Sequence, residues 1–120
     1  RMIENKSGRI VMISSIAGKY YRPNHSLYFA TKWALNGFSR SLAKEVSEYG
    51  IHVKIICPGM TETNFFDEMG GRPHDTDHNY VTPEIIAEHV EHACLEPDGI
   101  DTIERCIFPS WQLPRQGKRR

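Results

Sequence analysis

The chain has 120 residues, 39% of them hydrophobic, enough for one small domain and too few for two. Fifteen basic residues balance fifteen acidic ones, so nothing marks a broad nucleic-acid or anionic-membrane surface. The longest apolar run, residues 10–13, falls far short of the roughly 20 residues that span a bilayer, and no signal peptide is visible; three cysteines without a Cys-x-x-Cys spacing read as reduced, mostly buried thiols and hence as a cytoplasmic protein with no zinc site.

Residues 8–14 (GRIVMIS) form a compact run rich in branched side chains, which predicts a buried strand. A loop is expected over 16–25, where Tyr20 and Tyr21 either border a crevice or pack the loop. From residue 26 to 49 there is no proline, and Leu35, Phe38, Leu42, Val46 and Tyr49 recur at three- and four-residue spacing, so a long amphipathic helix is predicted, closed by Gly50 as a C-cap. Residues 51–57 (IHVKIIC) read as a second strand stopped by Pro58-Gly59.

The stretch from Gly59 to Val81 is much longer than the usual connection of about 4 to 6 residues, which points to a lid or binding loop. His74, Asp75, Asp77 and His78 lie in it. Gly70, Gly71 and Pro73 argue against the helix that His-x-x-x-His would need, so these residues are read as a solvated loop and no metal is expected. Thr82-Pro83 is an N-cap followed by proline in the first helical turn, and Ile85, Ile86, Ala87, Val90, Ala93 and Cys94 supply a second helix, with His89 and His92 as surface residues. After the Pro97-Asp98-Gly99 break, residues 102–108 read as a third strand, and Lys118, Arg119 and Arg120 as a solvated tail.

Strand, helix, strand, helix, strand predicts an α/β fold with a partial doubly wound parallel sheet and two crossovers, each expected to be right-handed. Ligands of such sheets bind beyond the carboxyl ends of the strands. Ser15 and Pro58-Gly59 both fall there, and the helix carrying Tyr28 and Lys32 starts on the same edge. Residues four apart share a helix face, so the Lys32 ammonium can lie beside the Tyr28 phenol. A phenol titrates near 10, and a neighbouring cation favours its ionised form, which suits exchange of a proton with an alcohol or carbonyl oxygen. Ser15 would hold that oxygen by a hydrogen bond. Ser14 is expected to point to the opposite face and pack its hydroxyl.

Three segments, GRIVMISSIAG, SLYFATKWALNGFSRSLAKEV and IHVKIICPGMTETNFF, carry a resemblance to the short-chain dehydrogenase/reductase family, extending from Ser7 to about Gln112. The resemblance implies catalytic roles for Ser15, Tyr28 and Lys32. It also implies that Tyr28, Lys32, Pro58, Gly59, Thr61 and Thr63 face NAD or NADP, NADP being preferred. The substrate would be a small secondary alcohol or ketone, and the full-length protein a homo-oligomer without nucleic-acid or membrane partners. The ending TIERCIFPSWQ loosely resembles members acting on short hydroxy acids. Two family features are absent: the Thr-Gly-x-x-x-Gly-x-Gly turn against the cofactor diphosphate, and the Asn of the proton relay, for which Asn5 lies too near Ser15. The chain therefore reads as roughly the second half of one such domain, residues 1–6 as the tail of a preceding helix, and the piece by itself as inactive. Two rival readings are a nucleotide-sugar epimerase or dehydratase, which shares Tyr-x-x-x-Lys, and a sheet-pairing interaction module.

Overall fold

The computed structural model describes residues 1–63, 79–97, 99 and 101–112. Helix α1 (Met2–Asn5) ends at Lys6 in the left-handed region and leads into strand β1 (Gly8–Ile13). A 3₁₀ turn, Ile16–Gly18, precedes helix α2 (Ser26–Val46), whose last turn tightens to 3₁₀ over Ser47–Tyr49. Gly50 closes it at φ 66 with its N–H on the Ser47 carbonyl, and a Cβ there would strike the Lys6 carbonyl. Strand β2 (Ile51–Pro58), helix α3 (Pro83–Leu95) and strand β3 (Glu104–Ile107) complete the order. Thr82 caps α3 by accepting from the Ile85 N–H at 3.4 Å, as the Thr-Pro pair predicts.

The sheet is parallel, in the order β1-β2-β3. The central strand β2 is the core: Val53, Ile55, Ile56 and Cys57 are all buried. Arg9, Lys54 and Arg105 leave the sheet on one face, where they meet Glu96 at the end of α3; Cys57, Glu104 and Cys106 leave it on the other, where Arg40 of α2 reaches Glu104. The two helices therefore cover opposite faces. Successive crossovers running the same way across a sheet, with helices on opposite faces, have opposite hands, so the expectation of two right-handed crossovers fails for one of them. The right-handed rule rests on a strand feeding directly into its packed helix. The β2–α3 link instead runs through the long stretch after Gly59, which frees α3 to start on the other face.

Three further expectations are corrected. Helix α2 buries its apolar stripe only in part: Leu35, Leu42 and Val46 are half-buried, Phe38 is 56% exposed, and the fully buried residues are Asn36 and Ser39. The helix lies so close to the Ile16–Gly18 turn that only small and polar side chains fit between them. The thiols are also less hidden than expected, Cys57 being buried but Cys94 and Cys106 exposed. Strand β3 is shorter than residues 102–108, because the Thr102 N–H is taken by the Glu96 carboxylate at 3.2 Å rather than by the ladder.

Lys54, only 1% exposed at the sheet centre, is paired with Glu96 and Asp101, and Arg105 holds the other Glu96 oxygen at 2.8 Å. Buried charge at mid-sheet survives only when paired and hydrogen-bonded in this way. The Lys54 hydrogen bond, the largest cause, holds the Glu96 carboxyl well below the usual range, at about 2, against the opposing effect of burial. No helix among the described residues is long and apolar enough to cross a membrane.

Candidate active site

Ser15 stands where β1 ends, in extended backbone, and caps the 3₁₀ turn by accepting from the Ala17 N–H at 3.1 Å. Its hydroxyl donates to the Pro58 carbonyl at 3.4 Å, which ties the carboxyl ends of β1 and β2 together. That bond is long for a hydroxyl, whose usual range is about 2.5 to 3.0 Å, so the proton can turn to a better acceptor while the oxygen stays fixed by Ala17. Ser14 is buried, its N–H on the Ile56 carbonyl at 2.8 Å, and its hydroxyl has no hydrogen-bond partner among the described residues.

Tyr28 lies in the first turn of α2, half-buried, with Phe29 edge-on at 6.2 Å. The Lys32 ammonium sits 5.8 Å from the centroid of the Tyr28 ring, over its face, within cation–π range. Three contacts set α2 against the Ser15 turn: Asn36 Nδ2 donates to the Gly18 carbonyl at 3.2 Å, Trp33 Nε1 to the Tyr20 carbonyl at 3.1 Å, and Gly18 touches the helix backbone. A Cβ on Gly18 would lie 2.8 Å from the Lys32 carbonyl oxygen, so glycine is what lets the turn and the helix approach.

Ser15, Tyr28 and Gly59 border one crevice of about 250 Å³. Its walls are Tyr20, Tyr21, Phe29, Met60 and Phe108, and Arg22, His25 and Gln112 add polar side chains. Both tyrosines of the 16–25 loop thus line the crevice. Pro58 reaches it only through its carbonyl to Ser15, and Lys32, Thr61 and Thr63 are not part of its lining. Thr61 donates to the Gly59 carbonyl at 3.0 Å and bridges to Val81, so its hydroxyl shapes the loop; Thr63 follows, half-buried. His74, Asp75, Asp77 and His78 lie outside the described residues.

Sequence reasoning missed the contribution of the C-terminal segment. Gln112 Oε1 accepts from the Met60 N–H at 2.8 Å, and Trp111 Nε1 donates to the Asn79 carbonyl at 2.6 Å while stacking edge-on to Tyr80. A parallel bridge between Thr61 and Val81 completes a clasp across the base of the 62–80 stretch. The signal lay in the topology: a residue just beyond β3 falls on the same carboxyl edge as Ser15 and Gly59. Burial pushes the thiol of Cys57, next to this loop, up to about 12, so it is protonated at neutral pH.

The profile described as short chain dehydrogenase matches residues 1–72. The chain belongs to the short-chain dehydrogenase family. An uncharacterized oxidoreductase of Staphylococcus aureus is 32% identical over 108 residues, 90% of this chain and 45% of its own length. One of Schizosaccharomyces pombe is 41% identical over 82 residues, 68% of this chain and 35% of its own. The chain thus spans less than half the length of these relatives. Among solved structures, a serine dehydrogenase in its closed form complexed with NADP+ has a TM-score of 0.85 at 25% identity, over 92% of this chain and 48% of that one. A 4-hydroxyisoleucine dehydrogenase complexed with NADH has a TM-score of 0.72 at 27% identity, over 93% and 50%. Both the α/β architecture and the partial extent of the sheet agree with this family.

Proposed function

We propose that this chain supplies the substrate crevice and acid/base group of an NAD(P)-dependent dehydrogenase that interconverts a secondary alcohol and a ketone. The observation that carries it is the meeting of Ser15 and Tyr28 on one small crevice at the carboxyl edge of a parallel sheet, with the Lys32 cation over the Tyr28 ring. The cofactors of the serine and 4-hydroxyisoleucine dehydrogenases support a nicotinamide, in either its NAD or its NADP form.

The residues present fit the nicotinamide-ribose end of that cofactor. Tyr28 and Lys32 offer a hydroxyl and an ammonium on one face of α2. The diphosphate end has no counterpart, because this sequence contains no glycine-rich turn of the family pattern. When bound, the cofactor donates or accepts the hydride. Ser15 turns its proton from the Pro58 carbonyl to the substrate oxygen, and Tyr28 takes the alcohol proton or returns one to the carbonyl. Lys32 holds its positive charge over the Tyr28 ring while the proton moves. Gly59 and Met60, with the aromatic walls, give the reacting carbon a largely apolar setting. Cytoplasmic location and self-association of the whole protein belong to the same reading.

The test uses a protein in which this chain is joined to a glycine-rich dinucleotide-binding half. Tyr28→Phe is expected to lose about 10²- to 10⁴-fold in kcat while binding NADH or NADPH as the parent does. Turnover within a factor of three of the parent would reject Tyr28 as the proton carrier.

A further inference from the structure

We propose that Cys57, Cys106 and Glu104 form a binding site for a thiophilic divalent cation of the zinc and cadmium class, on the sheet face covered by α2 and apart from the substrate crevice. Cys57 and Cys106 are direct partners in the β2–β3 register, so both side chains leave the same face, and Glu104, two residues earlier on β3, leaves it too. The two sulfurs and a carboxylate oxygen all lie within 4.8 Å of one another, and Cys106 Sγ is 3.7 Å from Glu104 Oε1. A tetrahedral ion at about 2.3 Å from sulfur and 2.0 Å from oxygen needs donors roughly 3.5 to 3.8 Å apart, so one separation already fits and the others close by at most about 1.3 Å. Side-chain rotation supplies that.

Paired thiolates select zinc or cadmium over magnesium or calcium, which prefer all-oxygen sites. Charge also fits. Lys19 and Arg40 are both ion-paired to Glu104, an arrangement that would repel an added cation. Binding, however, releases one proton from each thiol as two positive charges arrive, so the net charge of the cluster is unchanged. The same two cations orient the carboxylate, which has about four lone-pair directions and keeps one for a metal. Cys106 is exposed and provides the entrance, whereas Cys57 is fully buried and forms the floor. Cys94, on α3 at the opposite face, is a built-in control.

The experiment titrates the reduced protein with cadmium alone and follows the sulfur-to-cadmium charge-transfer absorption, then repeats it with zinc by competition against a chromophoric chelator. The expected result is one ion per chain held by two thiolates. Cys106→Ser should abolish the absorption and cut affinity by about 100-fold or more, Glu104→Gln by about 10-fold, and Cys94→Ser should change neither. Cys106 is exposed, so its variant is expected to keep the parent's circular dichroism, and it decides the matter even where Cys57→Ser fails to fold. Absorption that survives Cys106→Ser, that vanishes in Cys94→Ser, or that is missing from the parent at millimolar cadmium would overturn the site.

Discussion

Lys32 and Tyr28 act as a pair only if the lysine charge, and not merely its length, matters at the Tyr28 ring. Lys32→Met keeps the aliphatic stem and deletes the cation. In the joined enzyme, the pH–rate profile for alcohol oxidation is expected to change and turnover near neutral pH to fall, because no cation then faces the Tyr28 ring. The Michaelis constant for cofactor should rise with it. Lys32→Arg should restore most of the profile, since it returns the charge. A Lys32→Met profile that overlays the parent after correction for cofactor saturation would leave Lys32 as packing only. These two positions, with Ser15 and Gly59, were legible in the sequence because helix periodicity and the strand-end rule both act over short stretches of chain. Arg22, His25 and Gln112 were not, because they reach the crevice through contacts that no local pattern encodes.

At the scale of elements, two glycines make opposite predictions, one inside the contact between α2 and the turn and the other on the open side of the helix. Gly18 touches α2, and a Cβ there meets the Lys32 carbonyl at 2.8 Å and Asn36 Cγ at 2.8 Å, so Gly18→Ala should cost about 1 to 3 kcal/mol of overpacking and shift Tyr28 away from Ser15. Gly37 lies mid-helix with nothing within 4 Å of its Cβ position, so Gly37→Ala should stabilise by about 0.5 to 1 kcal/mol. Urea unfolding of both variants checks the pair; equal effects would mean that α2 does not pack on the turn as described. The existence, type and order of the strands and main helices followed from periodicity and caps. The buried face of α2 did not, because Asn36 and Ser39 are chosen by how near the helix comes to Gly18, a distance that composition does not carry. The pairing of Cys57 with Cys106 was likewise hidden, since it depends on the register of two strands far apart in sequence.

Across the whole molecule, one ion network joins all three strands to the end of α3. Arg9 holds the Glu96 carbonyl at 2.6 Å, and Lys54 and Arg105 hold its carboxylate. The Glu96 carboxyl sits at about 2 in the folded state against about 4.3 for a free glutamate, so its contribution is complete above about pH 5 and disappears as pH falls towards 2. Glu96→Gln should lower the unfolding midpoint at neutral pH, and the gap from the parent should narrow steadily between pH 5 and 2. A gap that stays constant over that range would mean the carboxylate charge is not what stabilises the fold.

The same scale decides how the 120-residue chain behaves alone. Among the described residues β1 pairs only with β2, leaving its other edge with unpaired backbone groups, and Ile13 at its end is 46% exposed. The α2 face adds Leu27, Trp33 and Phe38, all largely exposed. An open edge beside apolar surface recruits another strand, so the isolated chain is expected to self-associate. Its sequence also lacks the glycine-rich turn that would place a helix N-terminus on the cofactor diphosphate, so cofactor binding should be too weak for turnover. Light scattering, with calorimetry against NADH and NADPH and a turnover assay on the same sample, tests both parts. Micromolar cofactor binding with measurable turnover would show that the crevice half suffices for catalysis. A monodisperse monomer would show that the β1 edge is protected in a way this sheet does not require.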